Sequence, residues 1–253
     1  MPIKSVVIVG TRNMAENLIR AFQTAVIPVI GVFGRNEERI HHLTTTYSLS
    51  RITNLGNIDK ESLVILAVSD DAVEDISSQV DPEAKVVHTS GSVPMNAIQV
   101  ANRGVFYPLQ TMTSDRKIDF FKVPVLIEAE NEALLLDLKM MATRMTDKLH
   151  VIDSEQRKRI HLGAVILNNF VTELVKLSGD YMNQIGVDQK LLNPLLEETV
   201  EKIKDLGPAK SLTGPARRGD KQTIQSHLEM LDGDLKEVYQ TLSNIILKEN
   251  GKL

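Results

Sequence analysis

The sequence predicts an α/β fold: a doubly wound, mostly parallel sheet followed by an all-α C-terminal domain. Up to about residue 152, short β-branched runs alternate with helical or turn segments, which is typical of a parallel sheet covered on both faces. Beyond Val151 the strands stop and long amphipathic helices begin. This change of period predicts two domains, residues 1–152 and 153–253.

Runs rich in β-branched residues predict seven strands, which fit one doubly wound domain. Segments with helical spacing between them predict the crossover helices. The strands are expected at 6–9, 29–33, 51–52, 64–68, 86–89, 104–107 and 123–127, and the helices at 14–22, 37–47 and 71–79.

Capping signals place the helices of the second half. Asp153 with Gln156 forms a candidate capping box, and the helix after it extends to about residue 183. A second helix is expected to end at Gly207, because glycine suits a left-handed cap and Pro208 cannot continue the helix. Two further helices are expected around 224–231 and 235–248.

The long helix is apolar on more than one side, since Ile166 and Phe170 lie off its main apolar face. Such a helix is either central to its own domain or buried against a partner. Both alternatives fit a helical domain that forms a homodimer.

Composition narrows the ligand classes. The 253 residues carry a formal net charge of -4 and scattered basic residues, which favours a small-molecule ligand over nucleic acid or a membrane. The absence of cysteine excludes disulfides, thiolate metal sites and a cysteine nucleophile. The apolar run 5–10 is too short for a signal core, and no other run approaches the ~20 residues of a membrane span. A cytoplasmic protein is therefore expected.

A glycine turn between the first strand and helix predicts a Rossmann-like dinucleotide site. Gly10 and Ala15 occupy the first and third positions of the G-x-G-x-x-G/A pattern, and Arg12 occupies the second. Three interpretations of Arg12 stay open: it pairs with a cofactor phosphate, it fills the site and abolishes binding, or it is a solvated arginine.

The end of the second strand favours NADP over NAD. A carboxylate that would bond the ribose 2′-hydroxyl is absent there, and Arg35 suits a 2′-phosphate. The alternative is that Arg35 pairs with Glu37 or Glu38 as an ordinary loop cation.

Ligands of open α/β sheets lie outside the carboxyl ends of the strands, so residues following several strands join the predicted site. Ser69 and Ser90 either orient the nicotinamide or the substrate, or only stabilise local turns. The predicted cofactor-binding residues are Gly10, Thr11, Arg12, Asn13, Met14, Arg35, Asn36, Ala67, Val68, Ser69 and Ser90.

Several segments in one order resemble a known family over nearly the whole chain. They are Val9-Gly10-Thr11 with Asn13, Ala67-Val68-Ser69-Asp70-Asp71, His88-Thr89-Ser90-Gly91-Ser92, Tyr107-Pro108-Leu109-Gln110-Thr111, His161 through Asn169, and Leu212-Thr213-Gly214-Pro215 with Arg218-Gly219-Asp220 and His227-Leu228.

The set resembles Rossmann-like proteins with a C-terminal helical domain of unknown function, relatives of pyrroline-5-carboxylate reductase and of the deazaflavin-dependent NADP oxidoreductases. The resemblance implies a two-domain, commonly dimeric NADP oxidoreductase whose substrate is not established. The chain departs from the family pattern at Tyr107, where many members have histidine, and at Ser69, which replaces a proline.

Polar residues of the second half are the candidate catalytic groups. On the long helix, His161 is a candidate general acid and shares a polar face with Asn168 and Thr172, with Asn169 slightly displaced. The alternative for His161 is an ordinary surface or interior histidine. Together with Thr213 and Arg218, His161 and Asn169 are predicted to position and polarise the substrate.

Arg218 has two interpretations. It clamps a substrate carboxylate, or it pairs with Asp220 or with helix-end carbonyls while Asp220 caps the next helix. The pairs His41-His42 and Asp70-Asp71 are not interpreted as a metal site, because adjacent side chains point apart.

The leading hypothesis is hydride transfer between NADP(H) and a small carbonyl, imine or hydroxy acid held between the domains. The rival is a non-catalytic nucleotide-binding or degenerate dimeric module. Arg12 and Tyr107 favour the rival.

Overall fold

The computed structural model describes residues 3–251, which form two compact units. The first unit ends at Asn169 and the second begins at Phe170. The predicted division after residue 152 marks the change of period, but the start of the next helix packs on the sheet: Arg157 is buried, and Ile160 packs against the buried cluster of Val105, Tyr107 and Leu126. The boundary between the two packed units therefore falls after Asn169, whereas the change of hydrophobic period falls near residue 152.

An eight-stranded sheet organises the first unit, in the order β3-β2-β1-β4-β5-β6-β7-β8. All neighbouring strands are parallel except β6 and β7. This is the doubly wound arrangement that the sequence predicts. Its topological switch point, where the strand order reverses direction, lies between β1 and β4. The strands are β1 Ser5–Val9, β2 Val29–Phe33, β3 Ser50–Arg51, β4 Ser62–Leu66, β5 Lys85–His88, β6 Asn102–Pro108, β7 Val125–Ala129 and β8 Leu149–Val151.

Alternating side chains place apolar residues on both faces of the sheet. In β1, Val6 and Ile8 join the core on one face, whereas Val7 and Val9 join the core on the other. Burial on both faces explains why β1 is an uninterrupted apolar run instead of an alternating one. The carboxyl ends of β1 and β4 thereby meet at the switch point, where the glycine turn begins.

Four helices connect or flank the strands and pack on the sheet before the long helix begins: α1 Asn13–Thr24, α2 Glu37–Tyr47, α3 Val73–Ser77 and α4 Glu132–Ala142. The bounds of α2 are those predicted. The predicted helix 71–79 is a 3₁₀ turn at Asp70–Ala72 followed by the short α3. Neither α4 nor the three-residue edge strand β8 was predicted, although Asn131 caps α4 by accepting from Leu134 N at 2.9 Å.

The long helix begins after Asp153, whose carboxylate accepts from the backbone N–H of Gln156 at 2.7 Å, as the capping signal predicts. It consists of α5 Ser154–Val165, a π-helical segment Ile166–Phe170 and α6 Val171–Gln184. The π segment changes the helical phase, so the regular α-helical spacing that predicts a shared polar face for His161, Asn168 and Thr172 is interrupted between them.

By length and composition alone, the helix Ser154–Gln184 is long and apolar enough to cross a membrane. Its most apolar 18-residue window has a hydropathy of 1.3 and is not buried within the chain. No such segment was expected from the sequence, because no apolar run approaches the ~20 residues of a membrane span.

The second unit contains helices joined by glycine-marked turns. Gly207, at φ 77°, follows α7 as predicted, although Pro208 then opens the short α8 at its first position instead of only ending α7. After α6 the helices are α7 Asn193–Leu206, α8 Pro208–Ser211, α9 Pro215–Arg218, α10 Lys221–Glu229 and α11 Gly233–Glu249.

Candidate functional site

The glycine turn at the end of β1 has a geometry that only glycine satisfies. Gly10 has φ 128°, and a Cβ built on it would lie 2.1 Å from the carbonyl oxygen of Ala67. The backbone N–H of Gly10 donates to Phe33 O at 2.8 Å. The turn therefore passes directly against the end of β4, in the role that the sequence predicts for the first glycine.

A cavity of about 980 Å³ opens over this turn and the carboxyl ends of β1, β2 and β4. We call it the arginine-lined cavity, because Arg12, Arg35 and Arg39 line it while no described lining residue is a carboxylate. This charge favours an anionic ligand. Ten of the eleven predicted cofactor-binding residues line it, namely Gly10, Thr11, Arg12, Asn13, Met14, Arg35, Asn36, Ala67, Val68 and Ser69.

Ser90 is the predicted cofactor residue that does not line this cavity. Its hydroxyl oxygen accepts from the backbone N–H groups of Ser92 at 3.1 Å and Val93 at 3.0 Å. These bonds support its interpretation as a turn-stabilising residue. Ser69, which does line the cavity, bonds the neighbouring Asp71, and this bond lowers the pKa of that carboxyl group.

Arg12 is the residue that immediately precedes α1. Its backbone is extended and its side chain is exposed, and that side chain forms no capping bond to the helix. The first N–H groups of α1 are thus not satisfied by Arg12 and point toward the position where a helix start binds anions. Since Arg12 is exposed and lines the cavity, all three interpretations stay open: it pairs with a phosphate, it obstructs the site, or it is solvated.

A buried carboxylate holds the third arginine of the cavity. The side chain of Glu16 is 2% exposed, and its oxygens accept from Arg39 Nη2 at 2.7 Å and Arg20 Nη2 at 2.6 Å. Tyr47 OH donates to Glu16 at 2.9 Å. We call Glu16, Arg20, Arg39 and Tyr47 the Glu16 cluster.

The Glu16 cluster fixes the direction of Arg39. Burial alone would raise the pKa of Glu16, but hydrogen bonds from Arg39 and Tyr47 and the charges of Arg20 and Arg39 outweigh burial and lower it. Glu16 is therefore ionised, and Arg39 also donates from Nε to Thr11 O at 3.1 Å. Arg39 was not among the predicted cofactor-binding residues. Its position four residues after Arg35, which places a second cation near the end of β2, was the signal that could have identified it.

A second group of functional side chains meets near the carboxyl ends of β5 and β6. Tyr107 OH lies 3.0 Å from His161 Nδ1, and the two rings are edge to face at a 76° interplanar angle. A Cβ on Gly91 would lie 2.4 Å from the same nitrogen. His161 is thus enclosed by the Gly91 backbone on one side and the tyrosine hydroxyl on another.

The electrostatic surroundings of Tyr107 keep it protonated. Tyr107 is 8% exposed, and burial raises the pKa of its phenol despite the opposing charge of Arg157. His88, at the end of β5, is wholly buried; burial first and then the charge of Arg157 lower its pKa to about 4. His88 is accordingly neutral at physiological pH.

The predicted catalytic residues fall in both units. His161 and Asn169 belong to the first unit, where Asn169 Oδ1 accepts from Asn168 Nδ2 at 2.8 Å. Thr213 and Arg218 are exposed residues of the second unit, and their roles stay predictions. Asp220 caps α10 by accepting from Thr223 N at 3.0 Å, as its structural interpretation predicts. Among residues 3–251, no group of three or more histidines or carboxylates could hold a metal ion.

The sheet order, the glycine turn and the arginine-lined cavity define a dinucleotide-binding protein of the Rossmann type with a second, helical unit. Two family models match the chain. Residues 5–89 match the coenzyme F420-dependent NADP oxidoreductase domain, and residues 123–246 match a domain of unknown function, DUF2520.

A crystal structure from Bacteroides fragilis, provisionally assigned as an NADP oxidoreductase, is 32% identical, with a TM-score of 0.88. The match covers 97% of this chain and 98% of that one. The chain therefore belongs to the same family, in which an NADP oxidoreductase domain precedes DUF2520, and NADP is the cofactor of the family. The resemblance and the fold predicted from the sequence are confirmed.

Two more distant structures share the fold. A protein from Thermotoga maritima is 22% identical over 98% of this chain and 100% of its own, with a TM-score of 0.81. The Plasmodium falciparum pyrroline carboxylate reductase with NADP bound is 10% identical over 97% of each chain, with a TM-score of 0.63. Comparison with curated proteins gives no match.

The buried imidazole of His88 predicts a pH-dependent stability. Its pKa is about 4 in the folded protein against 6.5 unperturbed, so the unfolded chain binds more protons between these values. Stability is therefore expected to fall by about 3 kcal/mol as the pH drops through this window, and to be unaffected by His88 above it. Urea unfolding from pH 7 to 4 measures the slope.

His88→Gln should flatten that slope, whatever its effect on stability at pH 7. The exposed His150→Gln variant is the control and should keep the native slope. An unchanged slope in His88→Gln would show that other groups cause the dependence.

Proposed function

We propose that the protein transfers a hydride between NADP(H) and a small carbonyl, imine or hydroxy acid. The observation that carries this proposal is the arginine-lined cavity over the glycine turn, within a family of NADP oxidoreductases. The residues fit the cofactor, because the glycine turn at Gly10 lines the cavity and the cavity walls carry three cations and no described carboxylate.

Different parts of the cavity suit different parts of the cofactor. The turn from Gly10 to Met14, with the start of α1, suits a pyrophosphate. Arg35 and Arg39 suit a 2′-phosphate, and the Glu16 cluster holds Arg39 in advance, which reduces the entropy lost on binding. NADPH bound there supplies a hydride to the substrate carbon.

His161 is the proposed substrate-polarising group. Its imidazole is partly accessible and is held by Tyr107 at the carboxyl edge of the sheet, where ligands of this fold bind. It would donate to the oxygen or nitrogen bonded to the carbon that exchanges the hydride. Asn169, Thr213 and Arg218 are proposed to contribute substrate contacts. The non-catalytic alternative has no specific support in the family findings.

We further propose that the protein is a homodimer assembled through its helical unit. On α7, Leu196, Val200 and Ile203 form an exposed apolar stripe at i, i+4 and i+7, and Val171 and Val175 form another on α6. Apolar stripes of this kind are stabilised when a second protein surface covers them. A second copy of the chain presents the same stripes and is the partner proposed.

The first prediction concerns the role of Arg12. Native protein is expected to bind NADPH more tightly than NADH, and Arg12→Gly to bind NADPH about tenfold more weakly, since one charge-assisted bond is lost. Fluorescence titration with each cofactor measures both affinities. Tighter binding by Arg12→Gly would identify Arg12 as an obstruction, and binding by neither protein would refute the oxidoreductase proposal.

The second prediction concerns cofactor selectivity. Arg39→Ala should lower the ratio of NADPH to NADH affinity about tenfold, because only NADPH carries the 2′-phosphate. Arg51→Ala is the matched control: Arg51 pairs with Glu37 beside α2 but does not line the cavity. Equal weakening of both cofactors by Arg39→Ala would assign Arg39 a purely structural role.

The third prediction concerns assembly. Light scattering should give a mass near twice 28.2 kDa for native protein, and Val200→Asp should shift it toward 28.2 kDa because a charge disrupts the apolar stripe. Glu198→Lys, on the opposite face of α7, should leave the mass unchanged. A native mass of 28.2 kDa at all concentrations tested contradicts the dimer.

A further inference from the structure

In the hydrogen bond between Tyr107 OH and His161 Nδ1, one assignment of donor and acceptor is favoured. The hydroxyl of Tyr107 has no other hydrogen-bond partner among the described residues, and the side chain is 8% exposed. If His161 Nδ1 donated the hydrogen, the phenolic hydrogen would be buried without an acceptor, at a cost of about 1–3 kcal/mol. Tyr107 therefore donates and Nδ1 accepts.

Two further features hold this arrangement. The phenol keeps its hydrogen at neutral pH, because burial raises its pKa. The edge of the imidazole that carries Nδ1 rests against Gly91, where even a Cβ would be 2.4 Å from the nitrogen. A flipped ring would lose the bond to Tyr107. When Nδ1 of a neutral imidazole accepts, the ring hydrogen resides on Nε2.

We infer that Tyr107 is a positioning residue that holds His161 in the tautomer with its hydrogen on Nε2, so that His161 presents a hydrogen-bond donor to the substrate. This inference rests on the proposed function and narrows its substrate class. The carbon that accepts the hydride must be bonded to an acceptor atom, a carbonyl oxygen or an uncharged imine nitrogen. A protonated iminium offers no lone pair to Nε2–H.

Neutral histidine is suited to this role. An imidazole N–H polarises a carbonyl group without first becoming a cation, provided that its other nitrogen is held by a hydrogen bond. In this protein Tyr107 supplies that bond from the end of β6. Tyr107 thereby sets which imidazole nitrogen of His161 carries the hydrogen that is offered to the substrate.

A second tyrosine–histidine pair provides an internal control. In the helical unit, Tyr239 OH lies 2.7 Å from His227 Nδ1, and the rings are edge to face at 73°. The chemistry and geometry match those of Tyr107 and His161. Replacing Tyr239 therefore removes an equivalent hydroxyl and leaves both Tyr107 and His161 in place.

The tautomer is measured directly by two-bond ¹H–¹⁵N correlation of the histidine rings in ¹⁵N-labelled full-length protein. His161→Gln assigns the signals. Native His161 should show an unprotonated Nδ1 and a protonated Nε2. Tyr107→Phe should move His161 toward the tautomer mixture of a solvent-exposed histidine and leave His227 unchanged, whereas Tyr239→Phe should do the reverse.

A protonated Nδ1 in native His161, or unchanged His161 signals in Tyr107→Phe, would overturn the inference. The native spectrum alone decides the tautomer if Tyr107→Phe does not fold. NADPH titration of the same samples separates the two proposals: Tyr107→Phe should bind NADPH within about twofold of native protein. Absence of NADPH binding in native protein would refute the proposed function while leaving the tautomer result intact.

Discussion

A guanidinium group almost wholly removed from water joins the long helix to the sheet. Arg157 is 1% exposed, and it donates to Glu128 at 2.5 Å and to the backbone oxygen of Val93 at 2.5 Å. Three parts of the chain thus meet at one cation: β7, the segment after β5 and the first turn of α5. Removing one partner of such a pair leaves an uncompensated buried charge, which costs about 3–5 kcal/mol. His161 lies one helical turn further on, so its position beside Tyr107 depends on this anchor.

The Glu16 cluster fixes a side chain of the arginine-lined cavity in the way that Arg157 fixes the helix that carries His161. In one case a buried cation is surrounded by acceptors, and in the other a buried carboxylate is surrounded by donors. Buried ion pairs contribute little net stability compared with apolar packing. Their effect here is geometric, since Glu16 directs Arg39 toward the arginine-lined cavity and Arg157 holds the helix that places His161 beside Tyr107.

The features predictable from sequence are those with local causes. Gly10 lies between a strand and a helix, Asp153 caps the helix that follows it, and Gly207 ends α7 through its own backbone conformation. The edge strand β8 was missed because a run of three residues is too short to show a pattern of its own, and the π segment was missed because an apolar period near 3.6 does not separate α-helical from π-helical turns.

The long-range pairs of the site could not be predicted in the same way. Tyr107 and His161 are 54 residues apart in the chain, and only the packing of α5 on the sheet brings them together. The sequence analysis selected each residue separately and paired neither with the other. Arg39 was missed because its direction depends on Glu16, a carboxylate on another helix that resembles an ordinary solvated residue of α1.

The contact between Gly91 and His161 limits which substitutions this protein can accept at position 91 during evolution. Any side chain at position 91 would displace the imidazole, so under the proposed role of His161 every substitution there would carry a catalytic penalty in addition to any gain in substrate fit. New substrate preferences would have to arise at other positions around His161. A random mutagenesis library selected on new substrates should therefore retain glycine at this one position while its surroundings vary.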